Sequence, residues 1–111
     1  MSSDAQIEEI EVKINEAKEV IERKKALMRL TDNKDFKSIV LDGYFKDEAS
    51  RLVLLKADYE MQDEMSQNQI KKSIDAIGYF RLYLRTVMQL GAQMEKDLAA
   101  DEQTREELLS E

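Results

Sequence analysis

From Ile7 to Leu98 the large apolar residues recur three and four positions apart, and no proline interrupts them. That period puts one face of an α-helix toward a neighbour and the rest toward water. Proline would break such a helix by clashing with the preceding turn, and sheets need frequent turn residues. With no proline and three glycines in 111 residues, the chain has too few turn residues for a β-fold. The expected fold is all-α: an extended helical bundle or hairpin of about three helices, with long N-terminal and C-terminal helices, in one domain spanning 1–111.

The first helix is expected over about 1–30, capped by Ser3 or Asp4. Ile7, Ile10, Ile14, Ala17, Ile21 and Met28 form a narrow seam like that of a coiled coil, with Lys24 interrupting it. Acidic residues crowd its start and Arg23, Lys24, Lys25 and Arg29 its end, the signs that the helix dipole favours. Thr31-Asp32-Asn33 breaks it, and Asp32 or Asn33 caps the next segment.

The second segment, 33–57, carries Phe36, Ile39, Val40, Gly43, Phe45, Ala49, Leu52, Val53 and Leu55. Asp42-Gly43 is a common hairpin signal, but strand alternation is absent on both sides. Gly43 is therefore expected to mark a close contact with another helix, a bend within one helix, or a C-terminal cap between two, and not a hairpin. A polar break at 57–66, in which Asp58, Asp63 and Ser66 all offer caps, precedes the longest helix, expected over 65–100. Its apolar stripe runs through Ile70, Ile74, Ile77, Phe80, Leu84, Val87, Gly91, Met94 and Leu98, with Tyr79, Leu82, Tyr83 and Leu90 on a second face. Gly78 and Gly91 are places where backbones could approach closely. The end, 101–111, reads as an acidic tail that continues the helix or frays. The expected core is Ile10, Ile14, Ile21, Phe36, Val40, Phe45, Leu52, Ile74, Ile77, Phe80, Leu84 and Val87.

Composition argues against catalysis. The chain has no histidine and no cysteine, so the commonest general base, the commonest metal ligand and every thiolate are missing. The serines have no histidine to activate them, the scattered glycines make no phosphate loop, and the carboxylates sit on faces that read as solvated. The chain is read as a non-enzyme with no cofactor and no metal.

A formal net charge of −7 disfavours nucleic acid and anionic membranes as partners. The N-terminus lacks the pattern of a secretion signal, and no apolar run is long enough to span a bilayer. Protein partners remain, with a homo-oligomer or a larger assembly expected because so few helices cannot cover both faces of the longest one. Candidate interaction residues are Ile7, Ile14 and Ile21 on the first seam, and Tyr79, Arg81, Tyr83, Arg85 and Met88 on the longest helix. Arg81 and Arg85 could grip phosphates beside Tyr83, or pair with acidic residues of a neighbouring helix. Met61, Met65, Met88 and Met94 with Tyr59, Tyr79 and Tyr83 could form an adaptable surface or ordinary core.

The stretches DFKSIVLDGYFKDEASRLVLL and IDAIGYFRLYLRTVMQLG, followed by EQTREELLSE, resemble small helical proteins encoded by tailed bacteriophages over roughly residues 30–111. The resemblance implies a virion or assembly component in the phage particle or the bacterial host cytoplasm, or a phage factor that binds a host protein. One alternative carried with it is an acidic binding module that inhibits or redirects a host enzyme.

Overall fold

A computed structural model describes residues 2–111. Among them every regular element is helical: α1 (Ser2–Thr31), α2 (Lys34–Phe36), a π-helix (Lys37–Glu48), α3 (Ala49–Ala57), a 3₁₀ turn (Tyr59–Met61) and α4 (Glu64–Leu109). α2, the π-helix and α3 follow one another without a break, so three helical stretches account for the fold.

The ends follow local chemistry. The Asn33 side chain accepts a hydrogen bond from the backbone N–H of Phe36 at 2.9 Å, which caps α2. The Asp63 carboxylate accepts from the Ser66 N–H at 3.0 Å and caps α4, so Ser66 supplies a donor and not the cap. Asp58 does the same for the 3₁₀ turn through Glu60 N–H at 2.9 Å. α1 already includes Ser2, so Ser3 and Asp4 lie in its first turn and do not cap it. α4 runs on to Leu109; the acidic 101–111 stretch is mostly helix, with Gln103 and Glu107 bonded four residues apart on its surface.

Two compact units divide the chain: residues 1–27 with 86–111, and residues 28–85. In the first, the α1 seam is internal. Ile14, Ala17 and Ile21 are buried, Ile14 most completely at 1% exposure. Lys24, which interrupts the apolar series, belongs to the same seam. Its aliphatic stem lies on Gly91 of α4, and its ammonium reaches Glu95 at 2.6 Å. A side chain on residue 91 would meet Lys24 Cδ at 2.7 Å and Cγ at 2.8 Å, and Cβ closer still, so only glycine fits. Lys24 thus covers apolar surface with its stem while its charge stays at the rim. Past Lys24 the seam passes through Leu27, which is buried, and not through Met28, which was expected on it and is exposed.

In the second unit one uninterrupted helical stretch passes through Gly43, so no cap separates two helices there. The φ of Gly43 is not positive, and it sits inside twelve residues of π-helix. Such helices bond each N–H to the carbonyl five residues back and usually last a single turn. The apolar pattern explains the winding. Val40-Leu41, Tyr44-Phe45 and Glu48-Ala49 recur every four residues, and all six are half-buried. An α-helix advances about 100° per residue, so a four-residue repeat drifts around it; the slower winding of a π-helix holds such a repeat on one face more nearly. Ile39 pays the geometric consequence: placed on the stripe by α-helical spacing, it turns off the face and is 69% exposed. Gly43 is tight against its own helix and not against another one: a Cβ there would lie 2.9 Å from the Ser38 carbonyl oxygen, with only Ser38 atoms within 4 Å. Nothing approaches Gly78, where a close contact was expected.

Leu52, Ile70 and Ile77 are the buried centre of this unit. Phe36, Val40, Phe45 and Ile74 are half-buried. Phe80 stays 39% exposed because Tyr44 and Phe45 cover it from one side only, with ring centroids at 6.3 and 5.5 Å.

Candidate interaction surface

The residues proposed for an interaction surface fall into three groups. Ile14 and Ile21 are buried within their own unit and cannot meet a partner; the coiled-coil-like seam of α1 is satisfied inside the chain. Ile7 and Met88 are half-buried in that unit. Tyr79 and Tyr83, four residues apart on α4, are 71% and 57% exposed.

Arg81 and Arg85 were expected on phosphates or acidic residues. Neither forms an ion pair among the described residues. The Arg81 guanidinium lies over the Phe45 ring at 5.8 Å from its centroid, a cation–π contact that ties α4 to the π-helix. Arg85 is exposed. The ion pair in this unit that perturbs its members is Arg51 with Glu48 on the neighbouring turn: the guanidinium holds the Glu48 carboxyl below the usual range and is itself raised. Asp63 is also lowered, first by the Ser66 hydroxyl and then by the Ser66 N–H, as its capping role requires.

Exposed apolar surface is unevenly distributed. Of fourteen exposed large apolar residues, eleven lie in residues 28–85; the other three are Val12, Leu90 and Leu109. Charge is distributed the opposite way. Residues 28–85 carry ten acidic and ten basic side chains, whereas the remaining residues carry fourteen acidic and seven basic. The whole formal charge of −7 therefore sits on the first unit.

The depressions in this surface are shallow. One of about 290 Å³ lies between the π-helix, α3 and α4, lined by Tyr44, Glu48, Leu52, Ser73, Ala76 and Ile77. Another of about 570 Å³ lies on α4 alone, between Glu64, Met65, Asn68, Gln69 and Lys72. Among the described residues no three side chains of the metal-ligating types gather, and no helix is long and apolar enough to cross a membrane. The sequence pattern missed the α4 depression because Asn68 and Lys72 are polar; the signal that finds it is spacing, with Asn68 three residues after Met65 and Lys72 seven residues from both Met65 and Tyr79.

No family model matches the chain, nor does any curated protein or solved structure.

Proposed function

We propose that this chain is a non-enzymatic interaction protein that works by helix–helix association. The observation that carries the reading is the concentration of exposed apolar and aromatic side chains on a unit with no net charge. Surfaces of that kind mark contact with other proteins more often than chemistry. The lack of histidine and cysteine agrees with it. The setting in a phage particle or its assembly, in the virion or the bacterial host cytoplasm, rests on the resemblance of residues 30–111. Purification of the tagged chain from its native source tests the reading. The expected result is a complex, either of copies of the chain or with a distinct protein. A chain that stays monomeric and alone, or that turns over a small molecule, refutes it.

One observation favours a second reading, an acidic module that blocks or redirects a host enzyme: the entire −7 lies on residues 1–27 and 86–111. A capture from bacterial lysate that recovers one polymerase or nuclease and releases it at high salt supports that reading.

A further inference from the structure

Resting on the association reading, we propose that the outer face of α4 between Met65 and Leu82 pairs with the same face of a second copy, antiparallel about a two-fold axis. Met65, Asn68, Lys72, Asp75, Tyr79 and Leu82 follow one another at spacings of three, four, three, four and three. That is the repeat of a coiled-coil seam. All six are exposed, while the inward face of the same helix buries Ile70 and Ile77. α4 thus carries a second, exposed seam beside the one that its own chain buries.

The residue types select the orientation. Run antiparallel about a point between Lys72 and Asp75, the face meets itself in complementary layers. Met65 lies opposite Leu82 of the second copy, Asn68 opposite its Tyr79, and Lys72 opposite its Asp75. The two-fold axis makes each layer twice. A parallel pairing would instead set Lys72 against Lys72 and Asp75 against Asp75, and like charges at such positions exclude it. Neither Lys72 nor Asp75 has an ion-pair partner among the described residues, so both are available for this one. A polar layer at the middle of a seam also fixes register, at some cost in strength.

The shape agrees with the charges. The depression of about 570 Å³ is bounded by Met65, Asn68, Gln69 and Lys72, with Glu64 at its edge. Four residues at i, i+3, i+4 and i+7 are the hole into which a coiled-coil partner inserts one side chain. In the antiparallel register the residue facing it is Tyr79 of the second copy, and Tyr79 is 71% exposed. The seam lies on the unit without net charge, so the contact itself brings no net like charge together. The self-complementary order of Met65, Asn68, Lys72, Asp75, Tyr79 and Leu82 is what selects a second copy as the occupant.

Sedimentation equilibrium of the full chain from about 1 μM to about 1 mM, the range of weak association, tests the pairing. The expected result is a reversible dimer. Lys72→Asp turns two attractive layers repulsive and weakens it about tenfold, as does Asp75→Lys. The double exchange restores the wild-type affinity, and Tyr79→Glu abolishes the dimer. Circular dichroism of each variant should match the wild type, since all these positions are exposed. A wild type that is monomeric throughout, a double exchange no better than its parents, or an oligomer indifferent to Tyr79→Glu overturns the proposal. Association that survives Tyr79→Glu, or binding to another protein by a monomeric chain, refutes this seam and leaves the broader reading standing.

Discussion

Gly91→Ala tests the packing of α1 on α4. In an exposed helix interior this change stabilises by about 1 kcal/mol, because alanine loses less backbone entropy. Here the new methyl would lie inside contact distance of Lys24 Cβ, Cγ and Cδ. The outer carbons could swing away. Cβ is fixed to the backbone, so the two helices must separate. Overpacking of this kind costs typically about 1–3 kcal/mol, and forced backbone movement places it at the upper end. Subtracting the propensity gain leaves a net loss of about 1–2 kcal/mol, or roughly 4–9 °C in melting temperature for a chain of this length. The control is Gly78→Ala, where nothing lies within 4 Å of the added Cβ and the full gain should appear. Thermal and urea unfolding followed by far-UV circular dichroism, at one protein concentration, reads both. Lys24→Ala keeps the offending Cβ and should leave most of the Gly91→Ala penalty in place. The reasoning fails if Gly91→Ala stabilises as much as Gly78→Ala does.

The π-helix is tested by a pair of truncations. Leu52→Ala, at 4% exposure, should cost about 2–5 kcal/mol, whereas Ile39→Ala should cost under ~0.5 because the winding turns it outward; a large loss at Ile39 would indicate α-helical winding. Gly43→Ala sets a methyl 2.9 Å from the Ser38 carbonyl oxygen, so its melting temperature should fall below that of Gly78→Ala under the same conditions, and equal values would contradict the close contact. Asp63 has a folded-state pKa below its unfolded value, so its capping contribution is complete above the unfolded pKa and disappears as pH falls through the folded one. Asp63→Asn should therefore match the wild type near neutrality and lose less stability below about pH 4, where an unchanged acid limb would count against the cap.

Helix period and breaks were legible because each rests on neighbours in sequence, and so were the caps other than the one expected at Ser3 or Asp4. The Ile14–Ala17–Ile21 seam and the caps at Asn33 and Asp63 depend on spacing and side-chain type alone. What the seam would face was not legible. Ile14 and Ile21 look the same whether their partner is another chain or residues 86–111, since periodicity marks a buried face without naming its cover. The π-helix was hidden by an assumption about winding: 3.6-residue spacing accepts Phe36, Ile39 and Val40, yet the pairs Val40-Leu41 and Tyr44-Phe45 repeat every four residues. Lys24 and Gly91 look like faults in two separate stripes and make sense only together, as a stem laid on a bare backbone. The outer face of α4 escaped notice because hydrophobicity alone does not show a seam that is half polar. Its heptad is visible only after the inward face is known.

The most direct test of association through α4 uses the absence of native cysteine. A chain carrying Met65→Cys and Leu82→Cys places the two thiols about 26 Å apart on its own helix, too far to bridge. Across an antiparallel seam each thiol meets the other kind on the second copy. Mild oxidation should give a covalent dimer from the double variant and essentially none from Met65→Cys alone, whose thiols lie equally far apart in that dimer. Failure of the double variant to cross-link, or equal cross-linking by Met65→Cys alone, would contradict the account.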